Sequence, residues 1–195
     1  MSIVAKKIEE IVKLRLAPLL KQHGFTKSGR DFHRQRERDW QVVNVQASQG
    51  NLGEDGKFTV NLGVYVSAVA ALAGTPALEG KPKEHSCTVR ERIGMLMREQ
   101  NDHWWNVSPS ISSEQTAKDV ASAVEQFGIP WLEAHLRLET IAETLKPQPS
   151  VMSAAAALAA GDTNEAKRRI QFMAADRPMA ATTAMAWARK HGLQD

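Results

Sequence analysis

Cysteine occurs once in the 195 residues, at Cys87, so no internal disulfide can form and a disulfide-stapled scaffold is excluded. A lone thiol fits a reducing compartment, and a cytoplasmic location is expected. Glycine, at 12 residues, is too sparse for a collagenous chain. Disorder is excluded as well, because 43% of the residues are hydrophobic and the net charge is only +3. Long apolar runs are missing. The longest low-charge stretch, Phe58 to Leu78, is interrupted by Asn61, Gly63, Gly74 and Pro76, so no membrane span is expected. Lys6 and Lys7 arrive before any sustained apolar region, so no signal peptide is expected.

Catalytic signatures are also lacking. No phosphate-binding Gly-x-x-x-x-Gly-Lys-Ser/Thr loop, dinucleotide Gly-x-Gly-x-x-Gly turn, Gly-x-Ser-x-Gly elbow or His-Glu-x-x-His helix occurs. His85 and Cys87 offer two metal ligands where zinc needs three or four, so neither metal nor cofactor is expected. Cys87 with His85 or His103 has the elements of a nucleophile and base, and a buried thiol is the plainer reading. Asp102-His103 reads as a turn, because adjacency in sequence does not bring two side chains together.

What is present is a helix, then a set of strands, then more helices. Ile8, Ile11, Val12, Leu16, Leu19 and Leu20 recur at helical spacing from about Ile3 to Gln22, with Pro18 expected to kink or split the pattern and Gly24 to stop it. The period then changes to two. Arg30, Phe32, Arg34 and Arg36 alternate with their neighbours in a first strand. Trp40 to Ser48 forms a second, with Val43, Val45 and Ala47 on one face and Val42, Asn44 and Gln46 on the other. Phe58 to Ser67 forms a third, with Phe58, Val60, Leu62, Val64 and Val66 opposed to Thr59, Asn61, Gly63 and Tyr65. Residues 68–84 read as a long connection. Ser86 to Met97 fits either a strand or a helix, and Trp104-Trp105 a short strand. Ser113 to Gly128 reads as a helix capped by Ser112 or Ser113, and a further helix is expected from Ile129 or Pro130 to about Leu145.

The expected fold class is α+β: an N-terminal helix packed on an antiparallel sheet of about four or five strands, then helices and a C-terminal alanine-rich helical hairpin. Residues 1–147 form the sheet domain and 148–195 the appendage, with Pro147 and Pro149 between them. Within the appendage, Gly161-Asp-Thr-Asn-Glu-Ala166, Ile170, Met173 and Pro178 look like the second half of a tetratricopeptide repeat, too short for a binding solenoid. Its alanines permit docking on the sheet domain or self-association into a homo-oligomer.

Five stretches carry a resemblance: Leu19-Leu-Lys-Gln-His-Gly-Phe-Thr-Lys-Ser-Gly-Arg30-Asp-Phe32, Val42-Val-Asn-Val-Gln46-Ala-Ser48, Phe58-Thr-Val-Asn61-Leu-Gly63-Val, Arg92-Ile-Gly94 and Trp104-Trp105. In order and wording they resemble the domain-of-unknown-function family 4304, a bacterial family, over about residues 5–145. The resemblance implies a shared fold and carries no reaction or ligand with it.

The main functional clue is the polar side of the sheet. Asn44, Gln46, Asn61 and Tyr65 fall on the face away from the helix, and antiparallel neighbours stand about 5 Å apart. Arg92, Trp104 and Trp105 are expected at the rim, with one tryptophan in the core because adjacent strand residues point to opposite faces. Carboxamides with an aromatic wall suit a protein partner or small polar ligand better than bond cleavage, so a non-enzymatic binding or protein-interaction domain is the first reading. The second is nucleic-acid binding through the basic hairpin 27–38. There Lys27, Arg30, Arg34 and Arg36 flank Phe32, within a first 38 residues holding 10 basic and 4 acidic side chains. A charge-protected edge strand has the same composition. A hydrolase or transferase with an unrecognised motif is the third.

Overall fold

The computed structural model describes residues 2–193; Met1 and the last two positions of the expected appendage lie outside the described residues. The N-terminal helix runs as α1 (Ile3–Ile11), a π-helical turn (Val12–Leu16) and α2 (Ala17–Gln22) without a break. Pro18 has no N–H, and its ring would clash with the carbonyl four residues back. The π turn absorbs both problems by sending the Ala17 N–H to Val12 O, so the proline neither breaks nor splits the helix. Gly24 takes φ +82° beyond the helix end, and Phe25 N–H closes the cap on Leu20 O.

Six strands follow in one antiparallel sheet: β1 (Thr26–Ser28), β2 (Asp31–Arg36), β3 (Asp39–Ala47), β4 (Gly56–Tyr65), β5 (Val89–Arg92) and β6 (Trp105–Val107). The order is β1-β2-β3-β4-β5, and β6 shares the outer edge of β4 with β5. The three-residue β1 was not expected, and Arg30 lies in the β1–β2 turn rather than on a strand. Residues 68–84 are not all connection. α3 (Ser67–Ala73) starts one residue after β4, and Asp39 accepts from the N–H and hydroxyl of its first residue, Ser67, at 2.8 and 2.9 Å. Ser86 to Met97 turns out to hold both alternatives in succession, strand β5 and then the short helix α4 (Ile93–Leu96).

α5 (Ser113–Ala123) is capped by Ser112 Oγ. It passes through a second π turn (Val124–Gly128) into α6 (Ile129–Ala134), so Pro130 is accommodated as Pro18 is, with Ile129 N–H on Val124 O. The helix expected to reach Leu145 breaks at His135 and resumes as α7 (Leu138–Leu145). α1 and α5–α6 cover one face of the sheet, where Phe32, Val43, Val45, Phe58, Val60, Leu62 and Val64 meet Ile8, Ile11, Leu16, Leu20, Val120, Val124 and Leu132 in one core.

The appendage comprises α8 (Val151–Ala159), α9 (Thr163–Asp176) and α10 (Ala181–Lys190). It docks on α3 and α7. α8 has α3, α7 and α9 as neighbours, and Ala154, Ala155, Ala156 and Ala157 are all buried, since only a methyl side chain allows helices to approach on three sides. Arg169 is buried among them and donates to Glu165, Ala142 O and Ser153 O. No helix among the described residues is long and apolar enough to cross a membrane.

Candidate functional site

Antiparallel register sets which side chains meet on the face away from the core. Asn44 pairs with Asp31 on one side and Asn61 on the other, and Asn61 pairs with Arg92 on β5. Four strands thus present a single transverse row, Asp31–Asn44–Asn61–Arg92. Arginine can only donate, so Asn61 must turn Oδ1 toward Arg92 Nε, at 3.2 Å. Its amide nitrogen is left to donate to Asn44 Oδ1 at 3.3 Å and Gln46 Oε1 at 2.7 Å. Asn44 in turn donates to the Asp31 carboxylate at 2.6 Å, which Lys83 neutralises from above at 3.0 Å. The donors all run one way, from the cation of β5 to the anion of β2, which aligns their dipoles. Asp31 and Asn61 are buried, while Asn44, Gln46 and Arg92 are half-buried.

The other end of the row is built by the chain between β5 and β6. It leaves at α4 and folds back across Gly94, where an added Cβ would lie 2.3 Å from Asn101 O and 2.6 Å from the His103 backbone nitrogen. Only glycine lets the return strand pass that close. Thr59, fully buried on this face, fixes the return by donating to His103 O at 2.8 Å. Asp102 then meets Arg92 Nη1 at 2.5 Å and accepts the Trp104 indole N–H at 2.9 Å, and these two bonds hold its carboxyl below the ordinary range. The Trp104 ring has two cations over it, Arg92 at 5.3 Å and Lys57 at 5.2 Å. Among the described residues, Lys57 Nζ makes no salt bridge, though its charge acts on Asp102, and Gln46 Nε2 has no acceptor. Beside Asn61 and Arg92 a surface hollow of about 270 Å³ is walled by Glu84, Arg90 and Glu91.

Of the residues expected here, Asn44, Gln46, Asn61, Arg92 and Trp104 come together. Two do not. Trp105 belongs to the core, 7% exposed and stacked on Phe58 at 5.7 Å, as strand alternation requires of one member of the pair. Tyr65 is on the right face but about 13 Å along β4 at strand rise, opposite Trp40. Between it and Asn61 the loop after Pro82 crosses over Gly63, with Cys87 Sγ and Glu84 O against the strand. Asp31, Lys57, Lys83 and Asp102 join the site without having been singled out for it. Asp31 stood within the quoted stretch ending at Phe32, but its place beside Asn44 depends on hairpin register.

The residues of the basic hairpin are not gathered on one exposed face. Arg34 is buried on the core face, where it donates to Gln41 Oε1 at 2.6 Å and His23 O at 2.8 Å, pairs with Glu133, and lies over Phe25. It ties the end of the N-terminal helix to the sheet and to α6. Lys27 and Arg30 pair with Glu9, and Arg36 with Glu133. Phe32 is 1% exposed and cannot stack on a base. Cys87 packs on Gly63, and burial together with Glu84 pushes its thiol up to about 12, so it is protonated at neutral pH. Asp102 turns to Arg92 and Trp104 rather than to His103, whose ring lies edge-on to Trp105 at 4.6 Å. No group of three His, Cys, Asp or Glu side chains placed to hold a metal ion occurs among the described residues.

No curated protein and no solved structure matches the chain. A family profile does match, over residues 16–134, which takes in the sheet, the second π turn and the whole polar row. By that match over more than half its length, the chain belongs to the family described as Domain of unknown function (DUF4304).

Proposed function

We propose that the protein is a non-enzymatic binding domain of the bacterial cytoplasm that docks a partner protein on the polar face of its sheet. The observation that carries this reading is the row from Asp31 to Arg92, ending on an indole flanked by two cations. Internal hydrogen bonds hold Asn61, Arg92 and Asp102 in place, so little side-chain freedom is lost on binding. What the row offers outward is the Trp104 ring, the Lys57 ammonium and the Gln46 carboxamide N–H groups. An indole amid half-buried polar groups is the composition of an interface anchor, and the outward donors favour a partner loop presenting a carboxylate or backbone carbonyls. The single cysteine, with no second one to pair with in the sequence, accords with a reducing compartment.

A photo-crosslinking residue at position 46, expressed in the native host, is expected to trap a discrete adduct that vanishes when Trp104→Ala is added. Adducts that persist unchanged with Trp104→Ala, or none at all, refute the reading. Self-association through the C-terminal helices is a separate proposal. The alanines of α8 are buried within the fold, so it rests on the exposed Phe172, Met179 and Met185. Light scattering that gives a monomer mass at high concentration ends it.

A further inference from the structure

Beyond the loop that crosses Gly63, the same sheet face continues to a second and larger hollow. The cross-strand pair Trp40 and Tyr65 forms one wall, α3 contributes Ala68 and Ala71, Leu78 comes from the following segment, and Arg38 stands at the side; the cavity measures about 670 Å³. Sites for small organic molecules span roughly 300–1,000 Å³ and combine an apolar lining with a few convergent polar groups.

Three donors line this cavity without a partner among the described residues. Tyr65 is buried as a residue, but its hydroxyl reaches solvent and makes no hydrogen bond within the fold. The Trp40 indole N–H makes none, and Arg38 pairs with no carboxylate, whereas Arg34, Arg36, Arg90 and Arg92 each hold one. The Tyr65 hydroxyl and the Trp40 N–H stay open to solvent, so an entering acceptor would meet them without breaking a bond within the fold. Asp39, the first residue of β3, accepts through Oδ1 from Ser67 at the start of α3. Trp40 is held in position, since the His33 ring meets its edge at 6.3 Å and His33 is itself bonded to Pro82 O at 2.9 Å.

We propose that this cavity binds a small organic anion, a carboxylate carrying an aromatic or aliphatic body. The carboxylate would accept from the Arg38 guanidinium, the Tyr65 hydroxyl and the Trp40 N–H. The body would lie on Ala68, Ala71 and Leu78. The site is separate from the Trp104 end of the sheet and holds whether or not a protein docks there.

The test uses isothermal titration calorimetry, with the Trp40 indole resonance as a local reporter. The probes are phenylacetate and indole-3-acetate, their neutral amides, and acetate alone. Both aryl carboxylates are expected to bind and shift Trp40, the amides to bind about tenfold or more weakly, and acetate not to bind, since a charge-assisted hydrogen bond is worth about 1.5–3 kcal/mol. Arg38→Gln, a change at an exposed position that leaves the core intact, is expected to bring acid and amide to equal affinity. Tyr65→Phe is expected to weaken the acid several-fold. No Trp40 shift at millimolar probe, equal binding of acid and amide by the unaltered protein, or an acid preference that survives Arg38→Gln each overturns the proposal.

Discussion

Asn61 on β4 and Asn44 on β3 stand directly opposite one another, and the amide nitrogen of Asn61 donates to the carbonyl oxygen of Asn44 at 3.3 Å. That direction is imposed from outside the pair, because Arg92 requires an acceptor at one end and Asp31 a donor at the other. Asn61→Asp is nearly isosteric and gains a charge beside Arg92, yet it sets a carboxylate against Asn44 Oδ1 and Gln46 Oε1. Turning Asn44 over would only move the conflict to Asp31. Asn61→Asp is therefore expected to destabilise the protein by about 1–3 kcal/mol, as much as Asn61→Ala. Urea unfolding of the two variants checks this, and an aspartate variant as stable as the parent contradicts the one-way row.

Gly63 is where the loop after Pro82 crosses the sheet. A Cβ there would lie 2.7 Å from Cys87 Sγ and 2.9 Å from Cys87 Cβ. Gly63→Ala is expected to cost about 1–3 kcal/mol by forcing the loop outward. Adding Cys87→Gly removes both contacts, so the double variant is expected to be clearly more stable than the sum of the single effects predicts. Additive effects in thermal melts of all four proteins would show that the crossing is not the constraint.

Arg169 joins α7, α8 and α9 through Ala142 O, Ser153 O and Glu165. Arg169→Met keeps much of the volume and withdraws the donors from two buried acceptors. Glu165 retains Arg168 at 2.6 Å, so its charge is not left alone. A loss of about 2 kcal/mol is expected, read by chemical denaturation, and the Trp187 indole N–H bond to Leu72 O reports on whether α10 loosens with it. No change in stability would mean that alanine packing alone holds the appendage.

Acid is expected to act in two windows. His33 and His135 are buried, and desolvation lowers both imidazoles below their ordinary value. The unfolded chain then binds more protons, so stability falls as pH drops below about 6.5, by up to about 1.4 kcal/mol per pH unit for each group. Glu165 is held at about 2 by hydrogen bonds from Arg168 and Arg169, so its contribution is present above about 4.5 and disappears as pH falls through about 2. Melting temperatures measured across both ranges test this. His135→Gln is expected to lessen the slope of the upper window, the His33 share remaining, and to leave the lower window unchanged.

Alternation from Trp40 to Ser48 and from Phe58 to Val66 was enough to say which side chains share a face, because a strand's parity ties each residue to one side. Asn44, Gln46 and Asn61 were legible as neighbours for that reason, and so was the division of Trp104 from Trp105. Helical spacing likewise revealed the N-terminal helix, since an apolar stripe has one period whatever covers it. Alanine-rich composition marked the C-terminal helices, which number three among the described residues and not the two of a hairpin. Pro18 and Pro130 were legible as obstacles but not as π turns, because the rescue depends on backbone several residues upstream. Arg34 and its companions read as an exposed basic strip, and only the helices closing over β2 turned Arg34 inward to His23 and Glu133. Where the loops after Pro82 and after Gly94 cross the sheet was likewise a tertiary decision. Those crossings separate Tyr65 from Asn61 and bring Asp102 and Trp104 to Arg92. Local sequence governs the face on which a side chain stands, whereas long-range contacts between segments of no fixed period govern what lies over it.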